Sequence, residues 1–205
     1  MQTPPPAHLA LFGGTFDPPH LGHTACASAA LNTHELKKVI FIPTAQNPLK
    51  SHPTATWHHR TAMTKIAIRN NPAFELSLIE MQKDASAIAN YTIDTVRLLK
   101  ASYPTDKLYF IIGTEIIPSL HKWKEIETLV TFVEFIPVIR PGFNLKEVLL
   151  KSELSSQVKE VLIKNIVTDP MPEIASTPIR ENIKKYANFL DKDVLEYINK
   201  NKLYQ

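Results

Sequence analysis

Short apolar runs rich in β-branched and aromatic residues punctuate the chain at 8–12, 39–43, 74–79, 108–112, 133–139 and, more weakly, 165–168. Between them the apolar residues take helical spacing near 21–33, 56–70, 92–102, 124–130 and 145–164, and two more helical stretches near 178–187 and 191–200 follow the last run. Runs that are apolar throughout, rather than alternating, predict strands buried on both faces, and their regular alternation with helices predicts βαβ units. The expected fold is therefore α/β: a Rossmann-like, doubly wound parallel sheet. The expected organisation is one domain over residues 1–205 with a short Pro-rich arm at 1–7. Ligands in such sheets bind at the carboxyl ends of the strands. Each motif that carries chemistry falls at such an end or one loop further on.

Composition narrows the function classes only slightly. A length of 205 residues, 44% hydrophobic, suits a substantial core. A net charge of +3 with no long basic run does not call for a nucleic-acid groove, so no nucleic-acid partner is expected. The lone cysteine, Cys26, excludes an internal disulfide and fits a reducing compartment. No apolar stretch approaches the roughly 20 residues that span a bilayer, and the first residues lack the basic and apolar regions of a signal peptide. A cytoplasmic protein without a membrane partner is expected. An assembly of like chains is compatible with the sequence.

The strongest signal is residues 12–23, Phe12-Gly13-Gly14-Thr15-Phe16-Asp17-Pro18-Pro19-His20-Leu21-Gly22-His23. The chain holds five glycines, and three of them fall here, where the first apolar run ends. Such clustering predicts a close backbone approach. His20 and His23 are three apart, so a helix beginning near Pro19 puts both rings on one face of its first turn, beside free N–H groups and the positive end of the dipole. That combination predicts an anion site suited to phosphate. A second one is predicted at Ile174-Ala175-Ser176-Thr177-Pro178-Ile179-Arg180. Ser176 or Thr177 is a ready N-cap, and a cation such as Arg180 in a first turn is unfavourable unless an anion lies beside it. Arg also grips phosphate bidentately.

Gly14 to His23 resembles the G-x-F-D-P-x-H-x-G-H signature of the nucleotidyltransferase superfamily, and residues 174–180 resemble its S-S-T-x-[IV]-R motif, with Ala175 in place of one hydroxyl residue. Four further segments narrow the resemblance to the bacterial nicotinate-nucleotide adenylyltransferases, over about residues 8–200. They are Asn47-Pro48-Leu49-Lys50, Asn90-Tyr91-Thr92-Ile93-Asp94-Thr95, Phe110–Glu115 followed by Lys122-Trp123, and Arg140-Pro141-Gly142. Leu49 stands where that family has His, and Glu115 where it has Asp. The resemblance implies a nucleotidyltransferase-type fold and adenylyl transfer from ATP to nicotinate mononucleotide. It implies an ATP site made of Gly13, Gly14, Thr15, Phe16, His20, His23, Arg140, Ser176, Thr177 and Arg180, with His20, His23 and Arg180 as the catalytic set. For the acceptor it implies Lys50 on the phosphate, Tyr91 and Thr92 on the carboxylate, Gly113 and Glu115 at the ribose and Trp123 stacked on the ring. Mg²⁺ is implied as a cofactor bound through the ATP phosphates, with no metal site made of protein ligands.

No nucleophile–base pair is needed, because the acceptor's own phosphate oxygen attacks the α-phosphorus. Imidazole donors at the phosphates predict a rate that depends on pH near neutrality. His58-His59-Arg60 looks metal-like, but adjacent residues of a helix point about 100° apart and no third ligand is evident. Asp17, before two prolines, is expected to fix the turn and cap the following helix. Rival readings are a related transferase acting on the amide nicotinamide mononucleotide, on phosphopantetheine or with CTP; a non-catalytic nucleotide sensor; and an interaction protein.

Overall fold

The computed structural model describes residues 5–45, 52–81 and 90–205. Lys50, with the rest of its motif from Asn47, lies outside them. Five parallel strands form one sheet: β1 (His8–Gly14), β2 (Lys38–Pro43), β3 (Phe74–Leu76), β4 (Lys107–Gly113) and β5 (Glu134–Val138), in the order β3-β2-β1-β4-β5. The register of the central pairs is Leu11 beside Ile40 and Phe110. Eight helices accompany them among the described residues: α1 (Leu21–Thr33), α2 (Trp57–Ile68), α3 (Thr92–Ser102), α4 (Ile126–Phe132), α5 (Leu145–Lys151), α6 (Ser156–Leu162), α7 (Ser176–Glu181) and α8 (Lys192–Lys200).

The continuous apolar strands are explained by burial on both faces. Leu9, Leu11, Ile40, Ile42, Leu108, Phe110 and Ile112 point to one side, against Ile93, Val96 and Leu99 of α3 and the faces of α4, α5 and α6. Their alternates Ala10, Phe12, Val39, Phe41, Tyr109 and Ile111 point to the other, against Cys26, Ala27 and Ala30 of α1 and Ile68 of α2. A third apolar cluster joins Ala55, Met63, Ile174, Ile179, Val194 and Ile198, seating α7 and α8 against α2. Strand order reverses between β1 and β4, whose carboxyl ends therefore open the crevice that such sheets use for ligands.

Several elements differ from expectation. The run at 165–168 makes only a single parallel bridge, Val167 to Val138, because Pro170 follows closely and cannot donate to a ladder. The helix expected over 145–164 is two helices, since Ser155 caps a new start by accepting from Val158 N. The helix expected over 178–187 starts at Ser176 and ends at Glu181, where the Asn182 side chain accepts from Lys185 N and competes with helix continuation. β3 ends at Leu76 and gives way to a 3-10 turn at Ile79–Met81. Residues Thr114–Lys122, unassigned from the sequence because Pro118 interrupts any α-helical pattern, form 3-10 turns directly after β4.

Candidate active site

The carboxyl ends of β1 and β4 open into a cavity of about 780 Å³. Every described site residue expected from the sequence lines it: Gly13, Gly14, Thr15, Phe16, His20, His23, Arg140, Ser176, Thr177 and Arg180 of the expected ATP site, and Tyr91, Thr92, Gly113, Glu115 and Trp123 of the expected acceptor site.

Three helix N-termini contribute to this cavity. The caps of α2, α5, α6 and α8 are Thr56, Asn144, Ser155 and Asp191, each accepting from its own helix. The caps Tyr91 of α3, Glu125 of α4 and Ala175 of α7 make no side-chain capping bond, and at α1 the cap His20 is tied to His23, whose Nδ1 accepts from His20 N. Orphan N–H groups of a helix need an acceptor, and an anion serves. The expected caps Ser176 and Thr177 stand one and two positions after the observed cap of α7. Ser176 Oγ donates instead to Pro18 O at 2.9 Å, and Asn90 Nδ2 donates to Glu80 Oε2 at 3.2 Å.

The loop between β1 and α1 is tightly determined. Phe16, rather than either glycine, takes the left-handed conformation (φ 49°), and its ring folds back beneath Gly14. A Cβ on Gly14 would sit 2.8 Å from that ring, so the glycine provides room for Phe16. The Phe16 side chain is 1% exposed and packs against Phe12 and Phe41, which leaves chiefly its backbone for a nucleotide. Asp17 does not cap α1. Its carboxylate accepts from Thr54 N (2.7 Å), Ala55 N (3.1 Å) and Tyr204 Oη (2.6 Å). Arg180 Nη1 donates to Asp17 O at 2.7 Å and Nη2 to Thr177 Oγ1 at 3.1 Å, so the second motif is bolted to the first. The fully buried Arg60 donates to the carbonyls of Thr15, Thr44, Ala45 and Ala55.

His20 and His23 do come together, with ring centroids 3.7 Å apart. His23 Nδ1 accepts from His20 N at 3.1 Å, which places the proton of the neutral ring on Nε2. Gly22 leaves space for the His20 ring, which would lie 3.0 Å from a Cβ there. His20 is 4% exposed, and burial, reinforced by the nearby Arg140 guanidinium, lowers its pKa to about 3. His20 is therefore neutral across the physiological range, and it cannot supply the expected rate dependence near neutrality in the nucleotide-free protein. Its Nδ1 and Thr15 Oγ1 are buried without a hydrogen-bond partner among the described residues.

At the other side, Arg140 N donates to Thr114 Oγ1 at 3.0 Å, its guanidinium donates to Ile174 O, and its Nε lies 3.9 Å from Glu115 Oε2. The Glu115 carboxylate folds over Gly113, where a Cβ would collide with it. Trp123 packs edge-on against Phe110, with centroids 5.8 Å apart at 84°, and keeps part of its face open to the cavity. Lys124 Nζ sits 4.8 Å over the Tyr91 ring. His59 Nδ1 lies 3.0 Å from Tyr197 Oη, and no group of three or more candidate metal ligands occurs among the described residues.

The sequence profile of the cytidylyltransferase-like family matches residues 11–182. The nicotinate-nucleotide adenylyltransferase of Bacillus subtilis (strain 168) is 38% identical over 201 residues, covering 96% of this chain and 98% of the relative. The chain belongs to the nicotinate-nucleotide adenylyltransferases. Solved structures of the nicotinic acid mononucleotide adenylyltransferase of Plasmodium falciparum, one complexed with NaAD and one with APC, share the fold, with TM-scores of 0.76 and 0.75. Each is 20% identical to this chain and covers 97% of it.

Sequence reasoning missed Glu80, Thr114 and Tyr204, which hold the walls of this adenylyltransferase cavity without belonging to a motif. It also gave Arg60 and Asp17 lesser parts than they take. A buried Arg such as Arg60 leaves no periodic signal, because its partners are backbone carbonyls contributed by other elements.

Proposed function

We propose that this protein transfers the adenylyl group of Mg·ATP to nicotinate mononucleotide, releasing pyrophosphate and forming nicotinate adenine dinucleotide, a step of NAD biosynthesis. The observation that carries this reading is the convergence of three helix N-termini, two histidines and Arg180 on one cavity that Trp123 also lines.

An acceptor phosphate oxygen attacks the α-phosphorus in line. The new P–O bond forms as the bond between the α-phosphorus and the bridging oxygen breaks, and the electron pair leaves with pyrophosphate. The protein's task is to align two anions and to neutralise charge as it grows on the leaving group. In this reading His23 donates through Nε2 to the transferring phosphoryl group, with Thr15 Oγ1 beside it. His20 offers a neutral imidazole, and Arg180, Ser176 and Thr177 with the start of α7 hold the β- and γ-phosphates. Gly13, Gly14 and the Phe16 backbone line the path, and Arg140 borders the adenosine. On the acceptor, the start of α3 at Tyr91 and Thr92 receives the carboxylate, Trp123 stacks on the ring, and Gly113 and Glu115 face the ribose. Lys50 is assigned to the acceptor phosphate on its motif alone.

Asp17, the only carboxylate of the signature loop, is occupied by Thr54, Ala55 and Tyr204. Mg²⁺ accordingly enters as part of the ATP substrate, held by phosphate oxygens and water, where it offsets phosphate charge. The test is pyrophosphate release by the purified protein with Mg·ATP, with and without nicotinate mononucleotide, and mass analysis of the product. Release that depends on the acceptor, with a dinucleotide formed, supports the proposal; ATP consumption without a dinucleotide refutes it.

A further inference from the structure

We infer that Glu80 is a positioning residue for the acceptor end of the cavity, holding the end of β2 and the start of α3 in one register through a single buried carboxylate. The inference rests on the acceptor assignment above. Glu80 lies in the 3-10 turn after β3, is 7% exposed and lines the cavity. Its Oε2 accepts from Ala45 N at 3.0 Å and from Asn90 Nδ2 at 3.2 Å, and its Oε1 accepts from Thr95 Oγ1 at 3.0 Å. Ala45 closely follows β2, and its carbonyl accepts in turn from the buried Arg60. Asn90 immediately precedes Tyr91, the N-cap of α3, and Thr95 lies in the first turns of that helix. One side chain thus ties three segments that are 10 to 50 residues apart in the chain.

Tyr91 makes no capping bond, so the start of α3 is not fixed by its own sequence. An open N-terminus binds a carboxylate well only if its N–H groups are already in place when the ligand arrives. Glu80 supplies that placement from outside the helix. The atoms its two oxygens meet can also be held by a neutral amide of the same shape. Both partners of Oε2 can only donate, whereas the partner of Oε1 is a hydroxyl that can donate or accept. A glutamine with its oxygen at the Oε2 position and its amide nitrogen at Oε1 keeps all three bonds, with Thr95 Oγ1 accepting and its own proton turning to Tyr91 O, 3.4 Å away. An alanine takes this acceptor from Ala45 N and Asn90 Nδ2, while Thr95 Oγ1 keeps Tyr91 O.

The test compares Glu80→Gln, Glu80→Ala and Thr95→Val by steady-state kinetics in both substrates and by hydrogen exchange at the Ala45 amide. Glu80→Ala should raise the acceptor KM about tenfold or more and leave the ATP KM within about twofold, as loss of ground-state placement does. Glu80→Gln should restore the acceptor KM to within about twofold of wild type. Thr95→Val, which removes one bond of the three, should fall between and reads the same effect if the alanine variant does not fold. Exchange at Ala45 should quicken in Glu80→Ala and stay slow in Glu80→Gln. Equal rises in both KM values, an unchanged acceptor KM, failure of Gln to rescue, or unchanged exchange in Glu80→Ala would each overturn the inference. A wild type that ignores nicotinate mononucleotide while exchange behaves as stated would refute the acceptor assignment and leave the tie itself standing.

Discussion

Replacing His20 with Asn should remove one identifiable component of the protein's acid sensitivity. In the folded state burial, with Arg140 nearby, holds this ring near a pKa of about 3, against 6.5 for the unfolded chain. Below pH 6.5 the unfolded chain binds a proton at position 20 that the folded chain refuses, so stability is intact above 6.5 and is lost as pH falls toward about 3. At pH 4.5 the loss from this ring is RT ln(1 + 10²), about 2.7 kcal/mol, and each further unit adds about 1.4 kcal/mol. His20 is 4% exposed, so solvent screening does not discount this figure. The assay is urea unfolding of both proteins at pH 7.5 and 4.5. Asn deletes a packed ring, so the variant's absolute stability is free to shift, but groups common to both proteins cancel in the pH dependence. With a urea m-value of about 2 kcal/mol/M, the wild-type midpoint should fall about 1.3 M further than the variant's between the two pH values. Parallel midpoints at both pH values would refute the claim that His20 is buried in its neutral form.

Further expectations follow from the same geometry. His23→Ala should lower kcat about 10²–10³-fold, the loss usual for a donor at a transferring group, and leave the urea midpoint near wild type; turnover within threefold of wild type would displace His23 from its assigned place. Trp123→Ala should raise the acceptor KM and leave the ATP KM unchanged, because the proposed part of Trp123 is to stack on the acceptor ring; steady-state kinetics in each substrate separates the two. Tyr204→Phe removes only the hydroxyl that Asp17 accepts at 2.6 Å and should cost about 1–2 kcal/mol in chemical denaturation. Burial, together with Asp17, pushes the Tyr204 hydroxyl's pKa upward, so absorbance titration should show one tyrosine resisting ionisation in the wild type and not in this variant.

Much of the fold was legible because its rules are local. Strands buried on both faces read as unbroken apolar runs, and β1, β2, β4 and β5 stand close to where those runs lie. The strand order and the opening between β1 and β4 were not legible, because no local pattern says which strands pair. The site was legible where a motif concentrates its chemistry, as at 12–23 and 174–180. Its scaffolding was not. Glu80, Arg60 and Tyr204 act on partners up to 187 residues away, and nothing in the local spacing marks a residue whose partners are distant in the chain. The caps misled for a related reason. Ser176 and Thr177 look like capping residues and stand one and two positions after the true cap, Ala175, and Ser176 bonds instead to Pro18 O.

The central claim is adenylyl transfer to an acceptor that bears a ring carboxylate, and the direct measurement is kcat/KM for nicotinate mononucleotide and for nicotinamide mononucleotide, determined side by side with Mg·ATP. A site built on the open start of α3 should favour the acid by about tenfold or more, the worth of a charge-assisted contact of about 1.5–3 kcal/mol. Equal use of the two, or preference for the amide, would contradict the assignment of Tyr91 and Thr92 and with it the claim that this cavity is built for the acid.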